Sequence, residues 1–124
     1  MKAPAFLSRL LFPQALCLVC DEPRRLEAGA ALCDHCRNAL EETRISRLRC
    51  PRCLSFQSQG RQCSFCAQGG MAGIERAYAP FRYLDGARQL VLRLKFGPFE
   101  KAGQPLAEAM AFAITGQPFD YLVP

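Results

Sequence analysis

Eight cysteines arranged as four C-x-x-C pairs decide what the first half of this chain can fold into: Cys17/Cys20 (CLVC), Cys33/Cys36 (CDHC), Cys50/Cys53 (CPRC) and Cys63/Cys66 (CSFC). A tight turn over two intervening residues brings both sulfurs of a pair to one ion and lets backbone N–H groups point at the thiolates. Two such turns close a tetrahedral site, so four turns make two sites with no open coordination position. Segment 17–68 also has few large apolar side chains, Leu32, Leu40, Leu54 and Phe65 among them. That is too small a core for an independent unit of this length, and metal is expected to supply the missing stability.

Paired cysteines have three other uses. A disulfide framework suits a secreted mini-protein, and the regular two-residue gap is ligand spacing. A redox centre needs one reactive pair beside a βαβ unit, whereas here four equivalent pairs lie in a turn-rich segment. An iron–sulfur cluster takes the same ligands. Two structural zinc ions are the expected cofactors. The pairing stays open: consecutive pairs close loops of 12 and 9 residues and interleaved pairs loops of 29 and 26. The entropic difference is only about 1 kcal/mol per site. His35, inside CDHC, reads as an exposed turn residue because the cysteines already fill both sites.

The formal charge of +5 invites an acidic partner. Two divalent ions on eight thiolates add a net four negative charges and bring that value to +1. A nucleic-acid role must then rest on where the arginines stand. Arg44, Arg47, Arg49 and Arg52 form the densest basic cluster, with Phe56 and Phe65 as possible stacking neighbours. Lys95 is a further candidate contact for phosphate.

The chain divides into residues 1–16, with Phe6, Leu7, Leu10 and Leu11 on one face of a short packing helix that stops at Pro13; the cysteine unit 17–68; and residues 71–124, beyond Gly69-Gly70. The opening segment is interrupted by Ser8, Arg9 and Pro13, which argues against a signal peptide, and no apolar run has membrane-spanning length. A cytoplasmic protein without membrane insertion is expected. In the last part, the alternation of Ala77, Ala79, Phe81 and Tyr83 suggests an extended stretch. Asp85 is placed to cap a helix over GARQLVLRLKF whose apolar face holds Ala87, Leu90, Val91 and Leu94, with Gly97-Pro98 as its stop. A second helix is expected from near Pro105 to Gly116. FDYLVP, residues 119–124, reads as a strand of a buried parallel sheet.

The cysteine pairs, the stretch AYAPFRYLDGARQLVLRLKFGPFEKAGQPLAEAMA and FDYLVP together resemble the N-terminal half of the competence protein ComF family, including the GntX-like proteins, from about Cys17 to Pro124. The resemblance implies a small metal-stabilised double zinc ribbon followed by the incomplete start of an α/β type I phosphoribosyltransferase-like domain. It also implies a bacterial protein linked to DNA uptake, handling single-stranded DNA together with other competence proteins. The family's phosphoribosyl-pyrophosphate loop needs adjacent acidic residues followed by a Thr/Gly-rich turn. The adjacent pairs Asp21-Glu22 and Glu41-Glu42 have no such turn after them. No catalytic residue is assigned, and this chain is expected to be inactive. A further domain or a partner is expected to cover the 119–124 strand. A stand-alone zinc-ribbon module that binds nucleic acid or protein is the alternative.

Overall fold

The computed structural model describes residues 15–23, 26, 29–56, 59–121 and 123. The helix expected over residues 6–11 lies outside them. Among the described residues four α-helices follow one another: α1 (Asp34–Glu42), α2 (Ser64–Ala67), α3 (Asp85–Phe96) and α4 (Gly103–Ile114), with a 3₁₀ turn at Glu100–Ala102 leading directly into α4.

Helix α3 is the hub. Ala87 and Leu90 are buried, Leu90 with 0% of its surface exposed, and the helix packs against α1 on one side and against α4 and the 3₁₀ turn on the other. Gly97, extended at φ −125°, ends it, and its N–H returns to the carbonyl of Arg93. Asp85 does not cap this helix by side chain as expected. Leu84 occupies the cap position, and Asp85 stands inside the first turn, where its charge still opposes the helix dipole. Leu94, expected on the buried face, is exposed at the edge of the packed stripe.

The helical run toward α4 begins earlier than Pro105 because the 3₁₀ turn supplies its entry. Pro105, in the first turn of α4, lacks an N–H at a position where none is needed.

One apolar cluster joins the two halves of the chain. Cys17, Leu32, Cys33, Cys36 and Leu40 from the cysteine segment pack with Phe81, Ala87, Leu90, Ala102 and Ala109. The tie is reinforced at Arg44 and Phe81, which form an isolated antiparallel bridge. Hydrogen bonds from Ile45 N–H to Pro80 O (2.9 Å) and Arg82 N–H to Thr43 O (2.9 Å) flank it.

Among the described residues there is no β-strand. The extended stretch 77–83 makes that single bridge and no ladder, because its backbone bonds are split between the residues after α1 and, at Ala77 N–H, the carbonyl of Arg52 (2.7 Å). The strand expected at 119–124 is likewise not formed among its described residues. Phe119 turns an edge toward Tyr78 (6.3 Å between centroids), while Tyr121, 88% exposed, and Val123 face outward. A strand exists through its neighbours, and among the described residues none pairs with this segment.

Leu90 is fully buried in the cluster that also takes Leu40 of α1 and Ala109 of α4, so Leu90→Ala should cost about 2–5 kcal/mol of unfolding free energy, measured by denaturant titration of the zinc-loaded protein. A cost below about 1 kcal/mol would mean that α3 is not the hub.

Candidate metal centres

The sulfurs assemble into two groups, Cys17/Cys20/Cys33/Cys36 and Cys50/Cys53/Cys63/Cys66, and within each group all ligand atoms lie within 4.8 Å of one another. Consecutive pairs therefore share a centre, and the interleaved arrangement is not used. Four sulfurs around one zinc at about 2.3 Å stand roughly 3.8 Å apart. The contact between Cys53 Sγ and Cys63 Sγ is already 3.5 Å, so the donor sets fit two structural zinc ions with little movement.

The two centres are built by the same local recipe. In each, the N–H of the residue after the first C-x-x-C pair returns to the carbonyl of its first cysteine, Asp21 to Cys17 (3.0 Å) and Leu54 to Cys50 (2.9 Å). The chain leaves each closure through a left-handed residue, with φ +57° at Asp21 and +63° at Leu54. In each, the second pair opens a helix. Cys33 and Cys63 occupy the cap positions of α1 and α2 with nearly identical dihedrals, φ −73° and ψ 160° or 161°.

The cap cysteines' own N–H groups then donate to the buried first sulfur, Cys33 to Cys17 and Cys63 to Cys50, at 3.4 Å in both cases. This internal repeat was missed in the sequence, where unequal loop lengths hide it. The signal was there in two C-x-x-C pairs that each open a helical segment.

Electrostatics follows the same repeat. Burial pushes the Cys17 thiol up, but N–H donors from Cys20, Cys33 and Val19 and the Cys20 thiol outweigh it and bring the group down to about 6. Cys50 is held at about 6 chiefly by the Cys53 N–H, against the opposing effect of burial, with the Cys63 and Arg52 N–H groups assisting. The fourth thiols go the other way. Burial and then the neighbouring thiols raise Cys36 well above the ordinary thiol range, and the same causes push Cys66 up to about 12. Each metal-free cluster thus holds one thiolate ready and one thiol that only a cation would deprotonate.

The surroundings differ. Cys17, Cys33 and Cys36 belong to the apolar cluster that carries α3 and α4. An ion pair between Arg93 and Asp21 ties the first knuckle to the last turn of α3, with the Arg93 guanidinium 5.4 Å from the Phe99 ring centre. The second centre stands outside that cluster. Arg52, between its own two cysteines, holds it to the following chain. Its guanidinium donates to the carbonyls of Cys66 (3.4 Å), Met71 (3.0 Å) and Ile74 (3.1 Å).

The arginines grouped in the sequence therefore divide by task. Arg44 pairs with both carboxylate oxygens of Glu41 (2.7 and 2.8 Å) and lies 5.0 Å from the centre of the Phe81 ring, so it and Arg52 serve the fold. Arg49 donates to the Leu54 carbonyl (3.3 Å) and stacks over Phe56 at 4.6 Å. Arg47 is exposed. Lys95 is exposed in the last turn of α3, on an element packed against α1 of the first ribbon. His35 is exposed, and it stands outside both ligand groups.

Cys36→Ser and Cys66→Ser should each reduce bound zinc from two ions to one, as read by native mass spectrometry. The first should also abolish most of the helical circular dichroism, because its centre is part of the shared core. The second should leave α1, α3 and α4 folded. Equal loss of helicity in both variants would contradict the difference in surroundings. Zinc affinity should rise with pH from about 6 upward and continue to rise above neutrality, since binding must displace the protons held by Cys36 and Cys66. Affinity measured by chelator competition that is flat across that range would refute the assignment of the high-pKa thiols as ligands.

No helix among the described residues is long and apolar enough to cross a membrane. Searches of curated proteins and of solved structures found no match to this chain. Residues 7–68, half of the chain, match the family model described as a double zinc ribbon domain and contain both four-cysteine groups, so the chain belongs to the double zinc ribbon family.

Proposed function

We propose that this chain is the double-ribbon part of a ComF-type protein and that its second ribbon holds single-stranded DNA. The observation that carries this reading is the platform formed by Arg49 and Phe56. The guanidinium lies 4.6 Å from the ring centre, and Phe56 is 74% exposed. Together with Ser46, Leu48 and Gln59 these two residues line a hollow of about 420 Å³. An aromatic ring beside a cation offers a stacking face to an unpaired base, and every base has such a face. Arg47 adjoins the hollow in sequence and supplies a charge for the phosphate chain.

The zinc ions are structural in this reading. They fix the backbone on which the platform stands and take no part in binding. The resemblance of residues 77–111 to the ComF pattern supports a role in DNA uptake beside other competence proteins, in the cytoplasm. No turnover is assigned to this chain.

A second reading, a module that binds a protein, draws on the exposed apolar side chains of Phe96, Phe112 and Tyr121. It puts the partner on the helical half instead of on the second ribbon.

Fluorescence anisotropy with a labelled oligothymidine separates the two. The zinc-loaded protein should bind it, and Arg49→Ala with Phe56→Ala should weaken binding at least tenfold. Stacking is worth about 1–3 kcal/mol per base, and 1.4 kcal/mol is a factor of ten. Arg47→Ala should lower the slope of log affinity against log salt by about one contact. Undiminished binding by the double variant with both zinc ions in place would exclude the platform. Absence of binding by the wild-type protein would leave the protein-binding reading.

A further inference from the structure

Residues 43–74, which hold the whole second centre, contain five arginines, Arg44, Arg47, Arg49, Arg52 and Arg61, and no Asp or Glu. Three of the five are already engaged: Arg44 pairs with Glu41, Arg52 grips three carbonyl groups and Arg49 lies over Phe56. Arg47 and Arg61 are exposed, and among the described residues neither is joined to a carboxylate.

The backbone brings these two together. The Cys50 N–H donates to the Ser55 carbonyl (3.1 Å) and the Gly60 N–H to the Leu48 carbonyl (2.9 Å). The chain before the CPRC knuckle and the chain after it therefore run in opposite directions, which places Arg61 opposite Arg47. Gln59 and Gly60 turn into this contact with φ +46° and +78°. The two backbones come close, since a Cβ on Gly60 would stand 3.4 Å from the Arg47 carbonyl oxygen.

Like charges set directly opposite one another repel and cost stability. Elsewhere the chain meets its arginines with carboxylates, as at Arg37–Asp34, Arg44–Glu41 and Arg93–Asp21. Segment 43–74 has none to offer. The negative charge of the thiolate centre is met first by Arg52, between two of its ligands, and by Arg49, which adjoins Cys50. An anion from outside would relieve the repulsion that remains.

We propose that Arg47 and Arg61 form a two-pronged phosphate clamp that holds the backbone of a single strand beside the Arg49–Phe56 platform. The assignment rests on the reading of that platform as a base-stacking face, and it adds a residue that stands apart from the arginine cluster in sequence. A ring for the base and cations for the phosphates are the two parts of a single-strand site. Phosphate accepts a point charge as well as a guanidinium fork.

The salt dependence of oligothymidine binding by the full zinc-loaded chain tests the clamp, with fluorescence anisotropy as the readout and both zinc ions verified by native mass spectrometry in every variant. Each phosphate neutralised on a single strand adds about 0.7 to the slope of log affinity against log salt. Arg61→Ala should flatten the slope by about 0.7, as Arg47→Ala does, and the double variant by about 1.4. Arg61→Lys should keep the wild-type slope.

An Arg61→Ala slope equal to that of the wild type would overturn the clamp. So would an Arg61→Lys variant that loses as much as Arg61→Ala, which would make Arg61 a planar contact to a base. Phe56→Ala removes stacking and leaves the charges in place, so the two readings fail separately. If Phe56→Ala binds as tightly as the wild type while Arg61→Ala flattens the slope, the platform fails and the clamp stands. Absence of binding by the wild type at low salt would overturn both.

Discussion

The fold depends on N–H groups converging on buried sulfur. A thiolate can be buried only if its charge is met, and here the Cys17 and Cys50 sulfurs each accept an N–H from the cysteine that opens the next helix. That bond fixes the position of the helix start relative to the first knuckle, which in turn fixes the second pair of sulfurs. The metal is then the closure of a geometry that the backbone has already approached. A structural zinc contributes roughly 10–16 kcal/mol of apparent binding free energy in small modules, comparable to the whole stability of an ordinary domain. The first centre spends that closure on more than its own ribbon, since Cys17, Cys33 and Cys36 are part of the wall on which Leu40, Phe81 and Leu90 pack.

Two ribbons with one local recipe consequently have different roles. The first faces inward and organises helices. The second is held at its back by the fork of Arg52 on three carbonyl groups and leaves Phe56 and Phe65 outward. An exposed aromatic on a rigid metal-closed turn can present a contact surface with little ordering cost on binding. The division of labour lies in the surroundings of each centre, because the coordination chemistry of both is the same.

Much of the metal chemistry was legible in the cysteine spacing, since four C-x-x-C pairs constrain geometry almost residue by residue. Pairing was less so, because loop entropy separates the two arrangements by only about 1 kcal/mol. The structure decides it through the helix starts at Cys33 and Cys63. Helices α3 and α4 were visible in apolar periodicity and in the Gly97-Pro98 stop, with ends shifted by the 3₁₀ entry to α4. The strands were not legible as what they are. Alternation at 77–83 reports an extended chain, and whether a ladder forms depends on what lies beside it. The arginines failed as a group for a related reason. Charge density in sequence counts side chains without saying which already have partners, and Arg44 and Arg52 have theirs.

That division among the arginines has a consequence for any polyanion. Four thiolates around a divalent ion leave each centre with two negative charges. In the second ribbon the CPRC knuckle carries Arg52 directly between two ligands, and Arg49 immediately precedes it. Their charge therefore offsets the centre before it attracts anything outside, and of the four clustered arginines only Arg47 stands clear of both the fold and the knuckle. A nucleic acid approaching this face would meet weak long-range attraction and an exposed ring backed by a guanidinium at 4.6 Å. Stacking, which salt screens little, would then carry more of the affinity than counterion release. Under the proposed reading unpaired bases would be preferred over duplex, since only an unpaired base can lay its face on Phe56.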